Sequence, residues 1–284
     1  MGQDLNLRSL LGATSLPPNE ARILMAHVLD IHYQLPRSAL LSRDDLQLSA
    51  QALDNWKSLE SKRLQGEPIA YLIGKRGFHN IELYVAPGVL IPRPETELLV
   101  EIGLQEIMRL DRLAKVLDLG TGSGAIALAV AQSNPKALMT ATDRSAEALE
   151  IAQKNAKFLE LQDRVQFLPG NWYEALGDPT AFDIILSNPP YIAKQDPHLI
   201  QDDLRFEPIS ALTDQADGLE CLRAIIHGAK GHLTPNGLLA VEHGFDQSDA
   251  VLNLMHSAGL TDLQAHLDLA SHKRVASGRN AATP

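Results

Sequence analysis

Between Lys115 and Leu186 the sequence alternates short apolar runs with helical patterns, and few folds accommodate that alternation. Val116-Leu117-Asp118-Leu119 reads as strand one and Ala125 to Ala131 as the helix after it. Leu138 to Asp143 reads as strand two, followed by a helix through Ala148, Ile151, Ala152, Asn155 and Phe158. Arg164 to Leu168 and Phe182 to Leu186 supply strands three and four. Strands separated by helices belong to a parallel α/β sheet. Gly218 to Ala229 continues the pattern as a helix, Leu238 to Glu242 as strand five, Asp249 to Ala258 as a helix, and the remainder as two short final strands.

Ligands of open α/β sheets bind outside the carboxyl ends of the strands, so the loops after strands one to four should share one cleft. After strand one comes Gly120-Thr121-Gly122-Ser123-Gly124, where glycines let the backbone take positive φ and approach a ligand closely. Strand two ends in Asp143, 23 residues beyond Gly120, the spacing at which a carboxylate accepts from both ribose hydroxyls of a nucleoside. Gly170-Asn171-Trp172 follows strand three and could give an adenine ring an aromatic neighbour and a polar contact; Trp172 reads equally as a rim core residue. Glu242 and His243 close strand five at this edge, but a solvated strand end explains them as well as a place in the site does.

Strand four delivers Ser187-Asn188-Pro189-Pro190-Tyr191 to the same edge. Each proline lacks an N–H and pushes the residue before it into extended geometry, so the sheet stops here. The Asn188 side-chain oxygen and the Pro189 carbonyl then form a rim of acceptors with an aromatic ring beside it. A planar –NH2 group fits such a rim, donating two hydrogen bonds under an aromatic face. A plain strand-terminating turn is the alternative reading.

The first 75 residues read as a helical domain. Ile23, Leu24, Val28 and Ile31 recur at helical spacing, as do Leu53, Trp56, Leu59, Arg63 and Leu64 before Gly66 and Pro68 stop the run. With no chemistry of its own, this domain fits substrate docking or selection, and a packing appendage fits too. Residues 76–93 alternate and then reach Ala86-Pro87-Gly88-Val89-Leu90-Ile91, so a β-hairpin linker is expected there. Pro94 or Glu95 then opens a helix burying Leu98, Leu99, Val100 and Ile102, and residues 94–284 form the remaining domain.

Residues 1–75 hold eight basic and eight acidic side chains, so all of the formal charge of −10 lies in residues 76–284. A duplex reader needs a basic surface to replace condensed counterions, so direct nucleic-acid binding is not expected. The single cysteine, Cys221, excludes an internal disulfide framework, and no Cys/His spacing suits a structural metal. No leader pattern and no apolar run of membrane-spanning length is evident, so a cytoplasmic protein is expected; a monomer is the expected state, though no sequence feature fixes it.

A glycine turn with a strand-two acid serves either a dinucleotide or S-adenosylmethionine. The dinucleotide fingerprint is G-x-G-x-x-G, whereas the spacing from Gly120 is G-x-G-x-G. Asp118 before the turn favours a cation such as a sulfonium or the methionine ammonium.

Asp118 to Gly124, Asp143 and Asn188-Pro189-Pro190-Tyr191 resemble the motifs of class I methyltransferases that act on planar nitrogen. Gly66-Glu67-Pro68-Ile69-Ala70-Tyr71, Ile91-Pro92-Arg93-Pro94-Glu95-Thr96-Glu97, Phe206-Glu207-Pro208, Asp217-Gly218-Leu219 and Arg274-Val275 with Gly278 are similar, more narrowly, to the HemK/PrmC family of peptide chain release factor glutamine methyltransferases. The likeness runs from about residue 20 to the end. It implies a Rossmann-like class I methyltransferase sheet with a small N-terminal helical domain and a β-hairpin linker. It also implies transfer from S-adenosylmethionine, with S-adenosylhomocysteine as product, to the side-chain N5 of the glutamine in the Gly-Gly-Gln motif of release factors.

On the resemblance, Asn188, Pro189, Pro190 and Tyr191 are the catalytic set. Gly120, Thr121, Gly122, Ser123, Gly124, Asp143, Asn171, Trp172 and Asn188 bind the cofactor, and no metal is implied. Asn171 departs from the family, which has Asp beside the adenine; Asn still accepts from an adenine amine. The alternatives are an N6-adenine nucleic-acid methyltransferase, which would want a target-recognition domain and a basic cleft, and a non-catalytic S-adenosylmethionine-binding protein.

Overall fold

The chain divides between Gly74 and Lys75 into two units, each with its own apolar interior. The computed structural model describes residues 6–177, 181–200 and 202–281. In the first unit, α1 (Leu7–Ala13), α2 (Pro18–Tyr33), α3 (Ala39–Ser42), α4 (Ala50–Leu64) and α5 (Ile69–Ile73) enclose Leu24, Met25, Val28, Leu29, Trp56 and Leu59. Local chemistry sets the ends. Asn6 and Ser9 close a capping box on α1, and the Ser49 side chain accepts from Ala52 N at the start of α4. Trp56 lies fully inside, as expected. Ile31 and Leu64 depart from the expected stripes and are each 55% exposed, because the buried face of α2 runs through Ala21, Leu24, Met25, Val28 and Leu29 instead. Arg63 is no apolar-stripe filler either: its guanidinium donates to both Glu20 carboxylate oxygens and to the Glu67 carbonyl.

The second unit opens with a hairpin of β1 (Lys75–Phe78) and β2 (Ile81–Tyr84), turning at His79 and Asn80. The hairpin expected over 76–93 therefore ends early, and residues 85–93 form no strand. Pro87 and Pro92 cannot donate to a ladder, and the Ile91 N–H is taken by the Glu207 carboxylate. Nor is the hairpin a bare connection: Phe78, Ile81 and Leu83 are buried in the interior of the second unit. Asn155 ties it down, accepting from Tyr84 N at 2.7 Å and donating to the carbonyls of Tyr84 and Ser123.

After a short 3-10 turn at Pro94–Thr96, α6 (Glu97–Leu110) leads into β3 (Ala114–Leu119). Then come α7 (Ala125–Ser133), β4 (Ala137–Asp143), α8 (Ala146–Phe158), β5 (Val165–Pro169) and β6 (Phe182–Ser187). The short α9 (Ile209–Leu212) and α10 (Glu220–His232) precede β7 (Leu233–Glu242), α11 (Ser248–Ser257), β8 (Leu260–Leu267) and β9 (Lys273–Asn280). The strands form one sheet in the order β5-β4-β3-β6-β7-β9-β8. β5 through β7 run parallel, and β9 and β8 add antiparallel edges.

Side chains alternate between the two faces. Val116, Ile184, Leu186 and Leu238 meet α6, α7 and the hairpin on one side; Leu117, Ile185, Leu239 and Val241 meet α10 and α11 on the other. Burial on both faces is why these strands read as continuous apolar runs. The chain goes from β3 outward through β4 to β5, then crosses back to β6 on the other side of β3. This topological switch puts the crevice at the carboxyl end of β3 and β6.

Candidate active site

At that crevice Gly120, Gly122 and Gly124 take φ of 74°, 55° and 86°, a region that L side chains rarely adopt. The N–H groups of Gly120 and Thr121 both donate to the Thr142 carbonyl, which locks the turn against the end of β4. Beneath it Asp118, fully buried, accepts from Thr121 Oγ1 at 2.6 Å and from Ala127 N at the start of α7. Burial outweighs those two hydrogen bonds and pushes its carboxyl up to about 7, and the nearby Asp143 charge adds to the rise. Asp118 does not line the cleft. The expectation that it faces a cation directly is corrected: it organises the turn from below, with Oδ1 unpartnered.

The cleft opens to solvent. Gly120, Thr121, Gly122 and Ser123 form one wall, with Asp143, Asn171 and Trp172 beside them, and Asn188 and Pro190 close the end. Asp143 accepts from Gly122 N and Ser145 N, both at 2.9 Å, one on each oxygen. Each carboxylate oxygen keeps a second lone pair, so Asp143 can still accept from a diol. Trp172 serves both readings offered for it. Its ring packs on the apolar layer beneath α10 and also covers Gly120, where an added Cβ would sit 3.1 Å from the indole.

Three of the expected site residues stand back from the cleft. Gly124 caps α7 and presses on Leu128 and Ala152, so its lack of a side chain serves packing. Pro189 is buried at the start of the turn. Tyr191 points its hydroxyl at Glu242 Oε1, 3.0 Å away, and burial raises the phenol well above its ordinary range, so the hydroxyl stays a donor. The Tyr191 carbonyl accepts from Gln247 Nε2 at 2.9 Å, and a Cβ on Gly218, whose φ is 83°, would meet that carbonyl at 2.5 Å.

Much of the remaining wall was not read from the sequence, including Val89, Thr96, Arg144, Ser210, Ala211 and Cys221. Burial pushes the Cys221 thiol up to about 11, so it lines the cleft as a neutral group. Thr96 accepts from Asn188 Nδ2 at 2.9 Å. Glu242 and His243 are buried, so of the two readings open for them the solvated strand end fails. The Glu242 carboxyl is pushed up to about 7 by burial, opposed by the hydroxyls of Thr96 and Tyr191. Arg93, from the Pro-Arg-Pro-Glu-Thr-Glu stretch, pairs with Glu207 of Phe206-Glu207-Pro208, so two stretches far apart in sequence meet beside the cleft. Among the described residues no group of three or more His, Cys, Asp and Glu side chains is placed to hold a metal, and no helix is long and apolar enough to cross a membrane.

The cleft has the features a nucleoside would use: its floor is bare backbone at Gly120 and Gly122, where a Cβ on Gly122 would meet no protein atom, and the carboxylate of Asp143 and the indole of Trp172 line it.

Two family models match the chain: the PrmC N-terminal domain over residues 6–74 and the methyltransferase small domain over residues 95–204. A release factor glutamine methyltransferase of Burkholderia pseudomallei is 47% identical over 276 residues, covering 95% of this chain and 94% of its own length. Another, from Xylella fastidiosa, is 50% identical over 263 residues and 92% of each chain. A methyltransferase structure from Pyrococcus furiosus matches 79% of this chain and 99% of its own with a TM-score of 0.53; at 16% identity the likeness is one of fold.

Proposed function

We infer the reaction from one premise: this chain belongs to the release factor glutamine methyltransferase family. It transfers a methyl group from S-adenosylmethionine to the side-chain amide nitrogen, N5, of the glutamine in the Gly-Gly-Gln motif of peptide chain release factors. The observation that carries this reading is the meeting of Asn188 with the glycine turn and Asp143 in one cleft. With its Nδ2 engaged by Thr96, Asn188 has its oxygen left to accept.

S-adenosylmethionine, when bound, supplies an electrophilic methyl on sulfur and leaves as S-adenosylhomocysteine. Gly120 to Ser123, Asp143, Asn171 and Trp172 would hold it. An amide nitrogen is a poor nucleophile because its lone pair is delocalised into the carbonyl. Asn188 Oδ1 accepts one of its N–H groups and turns that lone pair toward the methyl carbon, while Pro189, buried behind it, holds the turn rigid. Orientation and electrostatics thus assist the attack without a strong base. The new N–C bond forms as the S–C bond breaks, and the nitrogen, acidified by alkylation, then loses one proton to water. The N-terminal unit is the docking element, the protein works as a monomer in the cytoplasm, and neither nucleic acid nor membrane is a direct partner.

Labelled S-adenosylmethionine supplied with purified release factor, with its Gln→Ala variant and with adenine-rich DNA tests the assignment. Label on the release factor alone is expected. Label on DNA and not on release factor would replace this reading with an adenine methyltransferase, and no transfer to any of them would leave a cofactor-binding protein.

A further inference from the structure

We propose that Gln247 is a positioning residue for the transfer: its side-chain amide clamps the far end of the turn over residues 188–191 and so fixes where Asn188 stands. The inference rests on the reading that Asn188 Oδ1 accepts from the substrate amide. Its ground is a set of three hydrogen bonds that joins three loops at the carboxyl end of the sheet. Gln247, half-buried at the entry to α11, accepts on Oε1 from the Gly244 N–H at 2.8 Å. Its Nε2 donates to the Tyr191 carbonyl, after β6, at 2.9 Å and to the Gly218 carbonyl, before α10, at 3.2 Å.

A backbone N–H only donates and a backbone carbonyl only accepts, so a side chain that serves all three needs both ends of an amide. Turned over, the Gln247 amide would set donor against donor at Gly244 and acceptor against acceptor at the two carbonyls. Pro189 and Pro190, whose rings fix φ, make a stiff link between Asn188 at one end and the Tyr191 main chain at the other. The near end is tied by Ser187 Oγ to the Leu119 carbonyl at 2.7 Å and by Asn188 Nδ2 to Thr96 Oγ1 at 2.9 Å. At the far end Gln247 takes the Tyr191 carbonyl, and Ile192 N then donates to the Leu212 carbonyl at 3.0 Å. Gly218, from Asp217-Gly218-Leu219, leaves the clamp its room. Its φ is 83°, and a Cβ there would lie 2.5 Å from the Tyr191 carbonyl oxygen and 2.9 Å from Gln247 Nε2. A side chain at 218 would therefore displace the same carbonyl that Gln247 holds.

Three variants of the full chain test this: Gln247→Glu, Gln247→Met and Gly218→Ala. Gln247→Glu keeps the shape and still accepts from the Gly244 N–H, but it sets an acceptor against both carbonyls. Its single-turnover transfer to release factor is expected to fall on the order of tenfold to a hundredfold. Gln247→Met, which keeps the length and repels neither carbonyl, should fall less, by about threefold to tenfold. That order separates a clamp from a filler of space, for which the near-isosteric Glu would be the milder change. Affinities for S-adenosylmethionine and for release factor should each stay within about threefold, so that the loss lies in the rate of transfer. Gly218→Ala should show the same split, and the double variant Gly218→Ala/Gln247→Glu should lose less than the product of the two single losses, because both displace one carbonyl.

Release factor methylated by wild type at a rate that Gln247→Glu leaves unchanged overturns the positioning role while the assigned substrate stands. A slower rate matched by an equal loss of cofactor or release factor affinity overturns it as well. Wild type that labels a different acceptor, with Gln247→Glu slowing that transfer equally, overturns the substrate and upholds the positioning. Should Gln247→Glu fail to fold, Gln247→Met decides by the same split, and a wild-type rate in that variant overturns the proposal.

Discussion

Glu207 lies with its side chain wholly inside the protein and takes the Arg93 guanidinium on one oxygen and the Ile91 N–H, at 2.9 Å, on the other. Burial raises the Glu207 carboxyl above its ordinary range, and Arg93 is the largest force opposing that rise. The pair holds the loop that carries Leu90 and Pro92 into the cleft wall.

Removing one member of a buried pair leaves the other uncompensated. Arg93→Ala should therefore destabilise the chain by on the order of 3 kcal/mol in urea denaturation. Glu207→Gln, which can still accept from Ile91 N, should cost less. If Arg93→Ala is as stable as wild type, the pair holds nothing together.

Gly122 and Gly124 both sit at positive φ, yet a side chain would meet different things at each. A Cβ on Gly122 meets no protein atom, whereas one on Gly124 comes within 2.9 Å of Leu128 Cδ1 and 3.3 Å of Ala152 Cβ. Each Ala variant bears backbone strain of roughly 1 kcal/mol. Gly122→Ala should add little to that strain but weaken S-adenosylmethionine binding by at least about tenfold, because its methyl projects into the ligand space. Gly124→Ala should lose stability first. Calorimetric titration and thermal melts of the two variants separate these outcomes; equal losses of affinity would mean that Gly122 does not face the ligand.

The alternation of apolar runs made the parallel sheet legible, because strands buried on both faces, such as Ile184-Ile185-Leu186, leave a period that few other structures produce. The glycine turn and Asp143 were legible because each must sit at a strand end. What escaped were side chains whose role depends on a distant partner. Nothing local to Glu242 says that Tyr191 will cover it, so a solvated strand end explained it as well as a place in the site. Val89 to Ile91 looked like a second hairpin strand because their apolar character comes from lining the cleft and the interior, and only Glu207, 116 residues beyond Ile91, shows where the backbone N–H goes. Ile31 followed helical spacing and still faces outward, since spacing identifies a stripe but not which of two adjacent stripes is covered.

Asn188 is expected to act on the acceptor more than on the cofactor. Asn188→Ala should reduce kcat by roughly 10²- to 10³-fold while S-adenosylmethionine affinity stays within about tenfold. Isothermal titration beside a single-turnover assay makes the comparison. Loss of cofactor binding in step with loss of transfer would assign Asn188 to the cofactor instead.

Two buried carboxyls near the site and one far from it should give stability an opposed dependence on pH. Asp118 and Glu242 are both pushed up to about 7, mainly by burial, so the native state holds protons that the unfolded chain has released. Their contribution is full below the ordinary carboxyl range and is lost as pH rises toward 7. Glu106 behaves in the reverse sense. Hydrogen bonds from Arg279 and Arg109 overcome its desolvation and lower it to about 2, so its contribution is present above about 4.5 and is lost as pH falls toward 2. The unfolding free energy of the ligand-free protein should therefore fall between pH 5 and pH 7.5 by an amount on the order of 2–4 kcal/mol, and the urea midpoint with it. Asp118→Asn, whose side chain cannot ionise, should flatten that decline, and Glu106→Gln should leave it unchanged while removing on the order of 2 kcal/mol at pH 7. A wild-type midpoint that rises across the same window would mean that Asp118 and Glu242 are ionised in the native state at low pH, and that the hydroxyls of Thr121, Thr96 and Tyr191 outweigh burial.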